Sequence, residues 1–334
     1  MYAVRLHAFG PAENLVHEKT DDPHPAPGQV RIAVAAAGVH LLDTALREGL
    51  AGGPMPPTDL PTIPGREVAG TVESLGEGTD ARWLGRRVVA HLGLVPGGYA
   101  ELAVTAAEKL HEIPDNLDAA QAVAMIGTGR TAMAILHLSE LAEDDVVVVT
   151  AAAGGIGSLL VQYARNLGAT VVGLAGGPAK AERVRSLGAD AAVDYTADGW
   201  HARARDVLGG QGATVLFDSV GGDTARTAAD LLGPGGRHLV YGWSAGGPLG
   251  GEPLTFTERE LAERGITSRV LLGPGWLQQI GGDDPVRAME DRALAEAAAG
   301  RLVPLVHRFP LAEAARAHRA LETRGTVGKV VLEP

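Results

Sequence analysis

Gly154, Gly155, Ile156 and Gly157 close the run Ala151-Ala152-Ala153-Gly154-Gly155-Ile156-Gly157, directly after four consecutive valines, Val146 to Val149. The chemistry this spacing offers is the holding of a pyrophosphate. Glycines let the backbone turn sharply and approach the phosphates, and unpaired N–H groups at a helix N-terminus meet their charge. Alanine at 151 replaces the first glycine of the usual pattern. Such a turn can also bind nothing, but its flanks favour the dinucleotide reading. The next chemical residue is Lys180. A site for NAD places a carboxylate about 20 residues beyond the glycines to hold the ribose 2′-hydroxyl. Here 174–180 reads Leu-Ala-Gly-Gly-Pro-Ala-Lys, with no carboxylate before Glu182. Lys180 suits a 2′-phosphate, so NADPH is the expected cofactor; a solvated lysine on a first helical turn is the plainer alternative.

The elements that must position these residues follow from periodicity. The valines suit a parallel strand covered on both faces. Ile156, Leu159, Leu160, Tyr163, Ala164 and Leu167 recur at helical spacing after the turn. Further strands are predicted at 170–174, 191–193, 214–218, 238–242 and 266–272, with helices between most of them. Together with the valine strand they make a complete doubly wound α/β sheet, a Rossmann domain expected over 121–272. Residues 1–120 carry short β-like pieces at 30–37, 68–75, 87–92 and 99–104, separated by proline and glycine turns. One or two helices are expected over 119–138, others near 285–299 and 311–322, and a closing strand at 329–332. Two loops, 49–64 and 271–282, are candidate pocket borders.

Composition narrows the function classes. The chain has 334 residues, 46% hydrophobic and 21% charged, and a formal net charge of −11, which disfavours nucleic acid and anionic membranes as partners. It has no cysteine, so thiolate catalysis, disulfides and cysteine-held zinc are excluded. The N-terminus reads as a strand and not as a signal peptide, and no apolar run approaches membrane-spanning length. A cytoplasmic enzyme is the expectation.

Several motifs then carry a family resemblance along nearly the whole chain: Ala36-Ala37-Gly38-Val39-His40-Leu41-Leu42-Asp43, Ile63-Pro64-Gly65-Arg66-Glu67-Val68-Ala69-Gly70, Gly97-Gly98-Tyr99-Ala100-Glu101, the glycine loop, Asp218-Ser219-Val220-Gly221-Gly222, Leu232-Gly233-Pro234-Gly235-Gly236-Arg237 and Gly328-Lys329-Val330-Val331-Leu332. The chain resembles the medium-chain dehydrogenase/reductase superfamily, in its zinc-independent quinone oxidoreductase (zeta-crystallin-like) branch. The resemblance implies a GroES-like β-rich catalytic domain from both chain ends, 1–120 and 273–334, around the Rossmann domain. Zinc-dependent members bind zinc through positions that are His40 and Arg66 here, and a guanidinium has no lone pair to give. No metal is therefore expected. Carried over residue by residue, Gly154, Gly155, Ile156 and Gly157 match the pyrophosphate loop, Lys180 and Tyr195 the 2′-phosphate and adenosine side, Arg324 a late arginine near that phosphate, Thr131 a threonine near nicotinamide, and Gly242 the sheet crevice.

On the catalytic side, quinone reductases commonly have asparagine at His40 and tyrosine at Ala45. His40 offers a hydrogen bond or proton, or simply packs. Asp43 and Arg47 orient substrate, or form a structural pair. The implied activity is NADPH-dependent hydride transfer to a quinone or an activated alkene or enone. The alternatives are an enoyl-thioester or natural-product-pathway enoyl reductase and, in another class, a non-catalytic NADPH-binding or nucleic-acid-binding crystallin-like protein. The resemblance also implies a homodimer joined through edge strands near 266–272.

Overall fold

The computed structural model describes residues 1–50, 58–247 and 251–334. The chain divides into two units: Met1–Gly129 with Glu290–Ala299 and Val303–Pro334, and Arg130–Met289 with Gly300–Leu302.

In the first unit the strand Gln29–Val39 is the hub. It pairs antiparallel with Glu67–Leu75, with Leu102–Ala106 and with Lys329–Glu333. Glu67–Leu75 passes the sheet on to Arg87–His91, and Val306–Pro310 runs parallel to Lys329–Glu333 at the other side. The hub alternates buried and partly exposed residues at its start and is buried throughout its last four residues, where the helix Ala119–Ala124 packs on it. That helix also packs on Glu67–Leu75, which is why the chain leaves this unit at Gly129 and not near residue 120. The predicted helical stretch over 119–138 is interrupted by a buried π turn, Met125–Gly129, before the helix Arg130–Ser139. Val4, Ile32, Val68, Val88, Tyr99 and Leu332 are among the core residues.

The second unit is a parallel six-stranded sheet in the order Ala191–Asp194, Thr170–Ala175, Val146–Val149, Ala213–Asp218, Leu232–Val240, Thr267–Val270. In chain order this is third, second, first, fourth, fifth, sixth, the arrangement of a dinucleotide-binding sheet, with its crevice where the order reverses, between the first and fourth strands. Val147, Val148 and Val149 are fully buried, as the valine run requires. The fifth strand begins at Leu232, earlier than its periodicity predicts, because its glycine- and proline-rich start still pairs at Leu232 before a register shift. The segment 271–282 contains a short helix, Trp276–Ile280.

Candidate active site

In the second unit the glycine loop is built by close approach. Gly155–Leu167 is a helix whose N-cap is Gly154, so its first N–H groups have no acceptor within the helix. A Cβ on Gly157 would lie 2.4 Å from the Ala151 carbonyl oxygen, so this position admits only glycine. Ala151, where the pattern usually has glycine, takes φ +45°, the left-handed conformation that glycine would adopt without strain. The loop is tied to the second strand by Ala152 N–H donating to Leu174 O at 3.0 Å. Directly beyond that strand, Lys180 sits in the first turn of the helix Pro178–Ser186, and a Cβ on Gly176 would lie 2.9 Å from the Tyr195 hydroxyl. Gly177 N–H donates to Asp194 at 2.8 Å, so Asp194 holds the turn that presents Lys180. Gly242 packs on Ser219 at the end of the fifth strand, and Asp218 braces that edge by accepting from Thr150 and from Val220 N–H. A glycine-lined helix N-terminus beside a lysine fits a dinucleotide that carries a 2′-phosphate.

In the first unit, strand register gathers the charges. Val39 pairs with Val330 and Ala37 with Val68, so His40, Lys329 and Glu67 end adjacent strands side by side. Glu67, fully buried, is 2.5 Å from His40 Nε2 through Oε1 and 2.8 Å from Lys329 Nζ through Oε2. Gly38 and Gly127 make room for it, since a Cβ on either would fall 2.2 Å and 1.5 Å from its carboxylate oxygens. Burial opposes ionisation of Glu67, but the neighbouring His40 and Lys329 outweigh it and hold the carboxyl well below its ordinary range. Burial pushes Lys329 down, with Glu67 opposing. Lys329 Nζ also lies 2.7 Å from His40 Nε2. That nitrogen can donate to Glu67 or accept from Lys329, not both.

Asp43 and Arg47 lie on the same short helix as each other, Leu41–Arg47, just after His40. Asp43 accepts from His40 N–H at 2.8 Å and from the Tyr99 hydroxyl at 3.1 Å. A phenol has one proton, so Tyr99 in turn accepts from His318 Nε2–H at 3.2 Å. Burial and the adjacent Asp43 push the Tyr99 phenol well above its usual range, and burial pushes His318 down to about 4. Arg47 pairs with Glu48 and with Glu322 at 2.7 Å and donates to Gly10 O. Its partners are therefore glutamates of its own helix end and of the helix Ala314–Glu322. Among the described residues no three His, Asp or Glu side chains converge to hold a metal ion. Thr131 stands in the first turn of Arg130–Ser139 in the second unit, and Arg324 follows Ala314–Glu322 in the first, at φ +57°.

A cavity of about 290 Å³ opens in the first unit, bounded by Asp43, Leu46 and Arg47 on one side and by Pro64, Gly65 and Arg66 on the other. Thr58, Asp59, Pro61 and Thr62 of the predicted pocket loop also line it; residues 51–57 of that loop lie outside the described residues. Glu67, Lys329 and His318 were not legible as site residues one by one. The available signal was a lysine heading an apolar closing strand, since a buried charge must find a partner.

Residues 26–115 match the alcohol dehydrogenase GroES-like domain family and residues 155–273 the zinc-binding dehydrogenase family. The chain is 34% identical to a 2-haloacrylate reductase of a Burkholderia species, over 99% of this chain and 98% of the relative, and 34% identical to a quinone oxidoreductase of Pseudomonas aeruginosa, over 99% of each. The protein belongs to the quinone oxidoreductase branch of the medium-chain dehydrogenase/reductase superfamily. The chain also superimposes on the Escherichia coli quinone oxidoreductase solved with NADPH, with a TM-score of 0.84, 28% identity and the whole of both chains covered. Arginine at position 66 keeps a metal donor out of its second motif.

Proposed function

We propose that the protein is an NADPH-dependent reductase that delivers hydride to a quinone or an activated alkene such as an enone, without zinc. The observation that carries this reading is the pairing of a complete dinucleotide sheet and glycine loop with catalytic motifs whose metal-donor positions hold His40 and Arg66. Bound NADPH supplies the hydride. Gly154, Gly155, Ile156 and Gly157 hold the pyrophosphate, Lys180 and Tyr195 receive the 2′-phosphate and adenosine side with Arg324 contributing, and Thr131 and Gly242 border the nicotinamide. His40 supplies the proton that completes reduction. Its side chain is 26% exposed while Glu67 and Lys329 behind it are buried, so the imidazole is the member of the cluster that takes its proton from solvent and passes it to the acceptor. Asp43 fixes the His40 backbone, and Arg47 anchors the helix that carries Asp43.

The names of the relatives support the acceptor class: one reduces quinones and the other a halogenated alkene. A homodimer in the cytoplasm is part of the proposal. It is supported by the outer strand Thr267–Val270, which leaves a sheet edge open and Val270 43% exposed.

The test follows NADPH absorbance with 1,4-benzoquinone, 9,10-phenanthrenequinone, a 2-alkenal and crotonyl-CoA in parallel. Turnover of the quinones or the alkenal is expected. Turnover confined to the thioester overturns the reading in favour of enoyl-thioester reduction, and NADPH binding without turnover of any acceptor favours a non-catalytic protein.

A further inference from the structure

Two ionisable side chains of the second unit, Asp218 and His238, are wholly buried, which a fold tolerates where each finds a partner. Asp218 ends the fourth strand and His238 lies on the fifth. His238 pairs with Leu216, so Asp218, two residues on and on the same face, is its diagonal neighbour. Asp218 Oδ1 accepts from Val220 N–H at 2.9 Å and from Gly221 N–H at 3.3 Å, and Thr150 Oγ1 accepts from Ser219 N–H at 3.0 Å. The main chain of 219–221 is therefore held at three consecutive N–H groups. On its other side, Ser244 N–H donates to Ser219 O and Ala245 N–H to Val220 O. The second carboxylate oxygen, Oδ2, faces His238 Nε2 at 3.5 Å, and neither atom makes a hydrogen bond to any described residue. Away from water, a charge and a dipole attract across that gap far more strongly than they do in water. His238 Nδ1 lies 2.8 Å from the hydroxyl of Ser268, its partner in register on the sixth strand. A hydroxyl that donates to Nδ1 leaves the ring proton on Nε2, toward the carboxylate. The ring also packs edge-on against Phe256, with centroids 5.6 Å apart.

We propose that His238 is a positioning residue for the nicotinamide half of NADPH. Ser268 selects its tautomer, its Nε2–H balances and orients the Asp218 carboxylate, and Asp218 in turn fixes 219–221 as one wall of the cofactor crevice. This rests on the NADPH-dependent reading above and concerns the second unit alone. The crevice of such a sheet lies outside the carboxyl ends of its strands, between the first and the fourth. The glycine loop follows the first strand and Lys180 follows the second, which gives the adenosine side of the cofactor to that half of the sheet. The nicotinamide side then falls to the fourth and fifth strands, where 219–221 leads into the helix Gly222–Ala229. A wall fixed in advance spares the cofactor the cost of ordering it on binding. With the Nε2–H removed, Oδ2 keeps a buried charge without a counterpart. Turning the carboxylate toward another donor then releases the two N–H groups that shape the wall.

The experiment titrates full-length parent, His238→Phe and His238→Gln by calorimetry with two ligands: NADPH, and adenosine 2′,5′-bisphosphate, which carries the 2′-phosphate and no nicotinamide. His238→Phe keeps a flat ring against Phe256 and offers no N–H. It is expected to raise Kd for NADPH about 10-fold, the worth of a hydrogen bond to a charged group, and to leave Kd for the bisphosphate unchanged. His238→Gln, with an amide N–H in place of Nε2–H, recovers most of the NADPH affinity. In the parent at pH 7, ring-labelled ¹⁵N spectra place the proton of His238 on Nε2 and none on Nδ1. Parental NADPH affinity in His238→Phe overturns the proposal. So does an equal loss for both ligands, which is a general loosening of the sheet, and so does a proton on Nδ1 in the parent. If His238→Phe fails to fold, Ser268→Ala decides instead: weaker binding of NADPH alone, with an altered ring spectrum, supports the proposal, and an unchanged spectrum and affinity overturn it. If the parent binds neither ligand, the NADPH reading fails first and takes this inference with it.

Discussion

At the residue scale, the difference between a phosphate ligand and a surface lysine rests on Lys180. It stands in the first turn of Pro178–Ser186, on the turn that Asp194 holds through Gly177 N–H. A charge-assisted hydrogen bond to phosphate is worth about 1.5–3 kcal/mol. Lys180→Ala is therefore expected to raise KM for NADPH roughly 10- to 100-fold and to leave KM for NADH unchanged; steady-state kinetics with both cofactors check this. His318 makes a second residue-scale prediction. Its folded pKa is lowered from 6.5 to about 4 by burial. Between those values the unfolded chain binds a proton that the folded chain refuses, so stability falls as pH drops through this window. The loss across the whole window is about 3 kcal/mol, since one proton of difference costs ~1.4 kcal/mol for each pH unit. Urea titrations at pH 7 and pH 4.5 measure it, and His318→Gln should flatten the slope.

At the element scale, the cluster of Glu67, His40 and Lys329 exists because three strand ends meet in register. Glu67→Gln leaves a buried lysine without its counter-charge and should cost about 3–5 kcal/mol, read as a lower urea midpoint at pH 7. The π turn Met125–Gly129 contributes by bringing Gly127 against the Glu67 carboxylate. A methyl group there has nowhere to go. Gly127→Ala is expected to lose about 1–3 kcal/mol through overpacking and to lower kcat with it, because Glu67 must shift away from His40; a thermal melt alongside the NADPH assay checks both. The helix Leu41–Arg47 is pinned twice to Ala314–Glu322, through Tyr99 to His318 and through Arg47 to Glu322. Chain segments 275 residues apart thus share the task of fixing Asp43.

At the scale of the whole molecule, the open strand edge Thr267–Val270 bears on assembly. Val270→Glu is expected to convert the proposed dimer to a monomer of 34.4 kDa in light scattering after gel filtration, since a charge placed on an exposed edge opposes pairing. The six-strand rhythm and the glycine loop were legible in the sequence, because they depend on local periodicity and on backbone conformations that only certain residues adopt. The same holds for the rejection of a zinc donor at Arg66, which is a matter of side-chain chemistry alone. The partners of Glu67, the tautomer of His318, the π turn behind Gly127 and the commitment of Arg47 to Glu48 and Glu322 were not legible. Each depends on contacts between residues far apart in the chain, and sequence spacing says nothing about them until strand register is known. By itself the sequence determined the dinucleotide-type sheet, its glycine loop and the family motifs that run along the chain. Only the tertiary structure decided which buried charges meet, Glu67 with His40 and Lys329 and Arg47 with Glu322, because register and packing, not residue type, set which side chains become neighbours.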